Sequence, residues 1–423
     1  MCWALEDRVG PVEQLTYRTR SQGKGSRFVM IEALTPPARG FPIEEFAQRL
    51  ARAQSFMELN QLDALLVTSP QQVRYFTGFE SQLWESPTRS WYVVLPAGGD
   101  RPVAVIPEVG ATGMASTWLQ DIRTWPAPVP ADDGITLLSD ALREIAGVGG
   151  RVGAEFGREV HLRMPINELD MLRQKSDVIL VDGTDVIRRC RHVKSEYEIA
   201  KLRYVCQLAS ASFAEVPEML QQEHTEITLA REFRNNISAR GADSTPYLVA
   251  IAGKGGYENI VMSPTDRAIG RGDVLIIDTG ATYDGYFCDF DRNWAIGNVD
   301  AEVVRAYESV WAATEAGIAS AVPGATSSDV WRAIAGVLEG AGSLGNSSGR
   351  FGHGLGMQLT EPPSNIEGDA TVLAEGTVLT IEPAMEFSPG RLMVHEENIV
   401  VRAGGAELLS VRAAPQIQVL PAN

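Results

Sequence analysis

The stretch that most constrains this chain is Val274–Ala295, VLIIDTGATYDGYFCDFDRNWA. A β-branched apolar run leads into Tyr283-Asp284-Gly285, and an aromatic-rich run returns from it. This is the pattern of a β-hairpin closed across an Asp-Gly turn. Side chains alternate along a strand, so Asp278 and Asp289 lie opposite or diagonal to one another, two apart in register and on one face. Asp291 joins that face. Three carboxylates on one side of a hairpin repel unless something positive lies between them, and a metal ion is the obvious candidate.

A chain of 423 residues has room for two or three domains and a full core. Its formal charge of −17 argues against nucleic acid or an anionic membrane as partner. No apolar run reaches the roughly eighteen residues that a membrane span needs. Cys2, Cys190, Cys206 and Cys288 show neither C-x-x-C spacing nor a disulfide framework, so a reducing, cytoplasmic setting is expected. The first thirty residues carry Arg8, Arg18, Arg20, Lys24 and Arg27 but no apolar segment of a secretory signal. They read as a weakly ordered extension, with Met30 a candidate true start and an N-terminal arm in an oligomer the alternative.

Ile43 to Leu59 repeats apolar residues at three and four, which predicts a helix. Ala64–Val67 predicts a buried strand, Trp91–Leu95 and Val103–Ile106 a strand pair, Ile135–Ile145 a helix and Arg151–Phe156 a further strand. This alternation predicts an α/β domain over residues 41–185, after an extension over 1–40. Beyond it, Ser195 and Glu198 have the spacing of a capping box at the start of a long helix. Met219–Asp243 and Ala321–Gly342 each run from a turn through a helix to a glycine stop, a weak internal repeat. The second domain is expected over 186–423.

Three further segments hold chemistry. Phe351-Gly352-His353-Gly354-Leu355-Gly356 sets a lone imidazole among glycines. Leu379-Thr380-Ile381-Glu382-Pro383 ends an apolar strand on a carboxylate, and the run from Met393 to Val401 places Glu396 inside a strand. Each alone has an ordinary structural explanation in turns, caps or solvated surface. Together, Asp278, Asp289, Glu382 and Glu396 offer four negative charges and His353 one neutral nitrogen. That set balances two divalent cations and suits Mn, Fe, Co or Zn better than a thiolate site would. His395 and His192 read as structural.

On these residues the second half resembles the pita-bread metallohydrolases: methionine aminopeptidases, prolidases, aminopeptidase P and creatinase. The residues that carry the likeness are Asp278 and Asp289 eleven apart, the GHGLG around His353, the IEP at Glu382 and the EEN at Glu396. Asp63-Ala64-Leu65-Leu66-Val67 and Tyr75-Phe76-Thr77-Gly78-Phe79 resemble the N-terminal domain of the prolidase and creatinase branch. The resemblance implies an α/β creatinase-like domain followed by an α+β pita-bread catalytic domain with an internal pseudo-two-fold repeat. It implies two divalent metal ions, one on Asp278, both bridged by Asp289 and Glu396, and the other completed by His353 and Glu382. A bound hydroxide would attack a carbonyl while Glu382 relays protons. It also implies a homodimer acting on a dipeptide-like or other small substrate. In such a dimer an aromatic wall of Tyr75, Phe79, Trp84 and Trp91 would line a neighbour's pocket, ordinary core packing being the alternative.

The departures from the family pattern are as informative. Where proline-specific members carry two substrate-facing histidines, this chain has Val261 and Thr360. Val394 replaces an Arg two before the final Glu, and Asp291 stands where Thr is usual. Asp291 is a candidate acid/base group in place of a missing imidazole, or an acceptor orienting a ligand, or the partner of Arg292 or a neighbouring cation. The expected activity is hydrolysis of an amide C–N bond, in the manner of an Xaa-Pro dipeptidase but on a small or non-standard substrate. The alternatives are a metal-dependent lyase on a small zwitterion of the dimethylsulfoniopropionate type, and a catalytically inert binding relative.

Overall fold

The run Ala64–Val67 (β1) is buried at all four positions because it lies inside a six-stranded sheet. The structure, a computed structural model, describes residues 34–86, 89–220, 224–346 and 349–422. The expected N-terminal extension falls outside the described residues up to residue 33. Tyr92–Pro96 (β2) and Val103–Pro107 (β3) continue the sheet antiparallel on one side of β1. Asp121–Trp125 (β4) adds to β3 in parallel, while Arg151–Ala154 (β5) and Ile179–Asp182 (β6) extend the other side in parallel. The predicted helix spans Ile43–Leu59 as its periodicity requires. A second helix, Ile135–Ala146, packs Leu138, Ala141 and Leu142 on Leu66, Val94, Val105 and Val152. Tyr75, Phe79 and Trp91 are buried core residues, so the aromatic wall is not an exposed surface in this chain. Apolar bulk on this scale is most stable inside its own domain.

The remaining strands are Ser244–Lys254 (β7), Asp273–Tyr283 (β8), Tyr286–Phe287 (β9), Phe290–Ile296 (β10), Gly352–Gly354 (β11), Glu361–Ser364 (β12), Val378–Ile381 (β13), Ala384–Ser388 (β14), Arg391–Val394 (β15), Glu397–Arg402 (β16), Gly405–Leu408 (β17) and Gln418–Leu420 (β18). One sheet runs β18-β10-β8-β7 with β9 on β8, the other runs β12-β11-β13-β16-β17, and β14 and β15 form a ribbon. Val249, Ile276, Leu379, Ile381, Ile399 and Val401 from the two sheets share one core with Val310 and Ile334 of the helices.

The internal repeat is visible in the caps. Thr225 starts the helix Glu226–Ala239 and Thr326 starts Ser327–Gly340, each with a capping box and each 14 residues long. Each cap residue also bridges to a later strand-like segment, Thr225 to Ala268 and Thr326 to Val372. Long helices precede both units, Glu196–Ala214 and Ala301–Ser320, and Ser195 caps the first through the predicted box with Glu198. Side chains satisfying the N-terminal N–H groups fix where each helix begins.

The hairpin forms as its turn dictates. Asp284 and Gly285 take φ of 49° and 82°, the positive values of a two-residue turn that twists with its strands. Asp291 then pairs directly with Asp278 in the register of β10 and β8. Cys288 N–H still reaches Ala281 C=O at 2.9 Å, but the ladder opens at Asp289. There the N–H donates to Asn398 Oδ1 at 2.9 Å and the C=O accepts from Asn398 Nδ2 at 2.6 Å. One expectation needs correcting. Glu396 is not inside a strand: His395 and Glu396 lie between β15 and β16, where the chain leaves the ribbon and enters the sheet.

Candidate metal centre

Two segments position the candidate imidazole. A Cβ at Gly352, whose φ is 118°, would stand 2.1 Å from Thr380 C=O, and one at Gly354 would stand 2.4 Å from Pro362 C=O. Glycine at both places lets β11 lie close between β12 and β13. His353 Nδ1 then lies 2.9 Å from Gly354 C=O. With its proton on that nitrogen, the lone pair of Nε2 faces Asp289 Oδ2 at 3.4 Å and Glu382 Oε2 at 3.6 Å. Burial, helped by the Arg350 charge, pushes its pKa down to about 3, so the ring is neutral and able to ligate.

The hairpin and the β15–β16 junction supply the rest. Asp278, Asp289 and Glu396 each offer an oxygen, and these atoms all lie within 4.8 Å of one another. All three side chains are buried. Burial pushes Asp278 up to about 6, against hydrogen bonds from Tyr247 and the Thr279 N–H. It pushes Glu382 up to about 7, against the Arg350 charge. Asp289 and Glu396 are raised well above the usual carboxylate range by burial first and by the Asp278 charge next. Like charges packed this closely away from water are unfavourable unless a cation joins them.

The donor set fits divalent cations by a second measure. Asp278 Oδ1 and Glu382 Oε2 are buried with no hydrogen-bond donor. Buried polar atoms are nearly always paired, so two such oxygens turned toward a carboxylate cluster are those a cation would satisfy. The donors are carboxylate oxygens and one imidazole nitrogen, a set suited to Mn, Fe, Co or Zn.

Asp291 sits behind this cluster and is fully buried. Its Oδ1 accepts the Glu396 N–H at 2.6 Å and its Oδ2 accepts Asn293 Nδ2 at 2.6 Å. Asn293 also donates to Val394 C=O, and Tyr257 links the two by donating to Asn293 Oδ1 and accepting from Val394 N–H. Arg292 turns elsewhere: its side chain bonds the Asp291 and Glu396 carbonyls and the Glu397 carboxylate. Its expected pairing with the Asp291 carboxylate is not the contact observed. His395 is buried against Thr314 and Arg412.

The two positions at which the resemblance implies imidazoles hold Val261 and Thr360. Val261 is 75% exposed. Thr360 lies with its Oγ1 3.5 Å from His353 Nε2 and accepts from Arg350 Nη2 at 3.4 Å. The next residue, Glu361, is buried and held by Arg191, Lys194 and the Gln358 N–H. Three residues beside the cluster carried no assigned role from sequence: Tyr247, Asn398 and Arg350. Asn398 lies within the quoted EEN motif, but its partner Asp289 is 109 positions away; Arg350 stands three before His353.

Comparison with known proteins bears on both halves. The family model described as metallopeptidase family M24 matches residues 200–403, and that of the creatinase/prolidase N-terminal domain matches residues 49–193. A probable dipeptidase PepE of Mycobacterium tuberculosis is 31% identical over 369 residues, covering 86% of this chain and 94% of that protein. An Xaa-Pro dipeptidase of Pyrococcus horikoshii is 26% identical over 368 residues, covering 86% of this chain and 97% of the other. Among solved structures, dipeptidase PepE from Mycobacterium ulcerans matches with a TM-score of 0.79 at 28% identity, over 90% of this chain and 100% of that one. A prolidase from Thermococcus sibiricus matches with a TM-score of 0.80 at 22% identity, over 90% and 100%, a likeness of fold.

Proposed function

Because the chain belongs to metallopeptidase family M24, with a creatinase-type N-terminal domain and the pita-bread fold of the prolidases, and is a hydrolase of that family, we propose that it is a two-metal dipeptidase. The observation that carries this is the convergence of Asp278, Asp289 and Glu396 oxygens within 4.8 Å, with His353 and Glu382 alongside. In this reading Asp278, Asp289, His353, Glu382 and Glu396 would hold the ions. When bound, such a pair of ions supplies Lewis acidity and a water acidic enough to deprotonate near neutral pH.

The protein's own groups do the rest. Glu382 takes the proton from the attacking water through its carboxylate and passes it to the leaving nitrogen. His353 keeps its orientation through Gly354 C=O and so stays a neutral ligand rather than a competing acid. Of the roles open to Asp291, its contacts favour orientation: it fixes the Glu396 backbone and so the direction of that carboxylate. The substrate is a dipeptide-like amide other than an ordinary Xaa-Pro bond. Thr360 stands where an imidazole would meet it, and Val261 points to solvent.

The experiment is metal analysis of the purified protein, followed by a dipeptide panel with and without proline in the second position. We expect two equivalents of divalent metal and release of free amino acids from non-prolyl dipeptides at least as fast as from prolyl ones. Fast cleavage of Xaa-Pro alone overturns the substrate assignment. A fully metallated protein that hydrolyses nothing in the panel overturns the peptidase reading.

A further inference from the structure

We propose that the cleft between the two domains binds a small 2-hydroxy carboxylate through Gln72 and the N-terminus of the helix Pro70–Thr77. The cleft uses none of the five metal-site residues, and its ligand is independent of the chemistry they perform.

The helix begins without its usual cap. Ser69 holds the N-cap position, but its side chain makes no capping bond. Its N–H and hydroxyl go instead to the buried Glu155 carboxylate, as do those of Thr68. Pro70 brings no N–H, so Gln71 and Gln72 carry the first donors of the turn. Among the described residues neither of these N–H groups has an acceptor. Two free donors at the positive end of a helix suit a carboxylate. Both residues line an outer cavity of about 350 Å³, large enough for a small organic ligand. His161 and Arg163 line it too, and no acidic residue does.

The Gln72 side chain points independently to a ligand. It is 2% exposed, and its Oε1 is buried with no hydrogen-bond partner. Gln72 also lines an inner cavity of about 20 Å³, room for one water-sized group. Arg188 lines that inner cavity as well, and its Nε is likewise buried without a partner. Buried polar atoms are nearly always paired, so the inner cavity calls for a group that both donates and accepts. A hydroxyl does both, donating to Gln72 Oε1 and accepting from Arg188 Nε. An ammonium only donates, and a methyl does neither.

The two cavities share Gln72, Val160 and Gln358 as walls. The carboxylate belongs in the outer one and the hydroxyl in the inner one. Both sets of unpaired groups meet at one residue, Gln72, so the ligand's two functions are close neighbours. That is the arrangement of a 2-hydroxy acid. Gln358 lies two before Thr360, whose Oγ1 is 3.5 Å from His353 Nε2, so the cleft and the metal centre share one loop.

The test is calorimetry on the manganese-loaded full chain with glycolate, acetate and glycine, which share a carboxylate and differ in the group beside it. Glycolate should bind about tenfold more tightly than acetate, the worth of one or two net hydrogen bonds. Glycine should bind more weakly than glycolate, because its ammonium offers Arg188 no acceptor. Gln72→Leu, which keeps the bulk without the oxygen, should bring glycolate down to the level of acetate. Val160→Trp, which fills the outer cavity, should remove both ligands from the cleft. Any glycolate held at the metal ions is common to the three proteins and cancels in the comparison. Equal binding of glycolate and acetate by the unaltered protein overturns the proposal and leaves the inner cavity to water. Tighter binding of glycine overturns it too, and so does an unchanged glycolate affinity in either variant.

Discussion

At the scale of single residues, one ligand of the site is oriented by a buried carboxylate behind it. Asp291 is that carboxylate: both its oxygens are occupied by donors and one of them is the N–H of Glu396. Asp291→Ala should therefore lower metal affinity by about 10–100-fold, the usual effect of removing a group that orients a ligand, while kcat recovers at saturating metal. Titration with manganese, followed by turnover, checks this. If Asp291 acts as an acid or base, kcat stays low however much metal is added. Glu382→Gln keeps the shape of that side chain but removes its ability to carry a proton. It should reduce kcat by at least about 100-fold, within the range of general acid–base contributions. Turnover measured at confirmed metal occupancy decides it.

At the scale of elements, the hairpin alone does not make the site; its attachment to β16 does. Asn398 grips both the N–H and the C=O of Asp289, where the β8–β10 ladder opens. Asn398→Ala leaves two buried backbone groups unpaired, at about 1–3 kcal/mol for each. A lower denaturation midpoint in the chelated protein, with weaker metal binding, is expected; an unchanged midpoint refutes the grip. This element also marks what could be read in the sequence. The Asp-Gly turn fixes the hairpin register locally, so the Asp278–Asp291 pairing was legible from residue numbers alone. The cap at Ser195 is likewise local, and so are the turn, helix and glycine stop from which the repeat was read. Glu396 was misplaced into a strand because the crossing from ribbon to sheet is set by partners elsewhere in the chain, among them Asp291. Asn398 went unassigned for the same reason, its partner Asp289 lying 109 positions away. The aromatics of the first domain were ambiguous because a core and a binding wall have the same composition, and only packing separates them.

At the scale of the whole molecule, the centre ties stability to pH and metal. Asp278 is pushed up to about 6 and Glu382 to about 7 by burial in the metal-free fold. In the unfolded chain both return to the ordinary range near 4. Between those values the folded state holds protons that the unfolded state has released. The stabilisation is therefore fully present below about pH 4 and is lost as pH rises through 6 and 7, at up to about 1.4 kcal/mol per pH unit for each group. Bound metal reverses the sign, because it is the deprotonated carboxylates that ligate, and ligation grows as protons leave. The melting temperature in chelator should fall between pH 5 and pH 7.5, while in excess manganese it should hold steady or rise. The double variant Asp278→Asn, Glu382→Gln should make the chelated profile shallower, since two of the groups that lose a proton on unfolding are gone while Asp289 and Glu396 remain. A melting temperature in chelator that is level or rising across this window would show that the buried carboxylates are not held protonated, and that a cation or solvent reaches them even without metal.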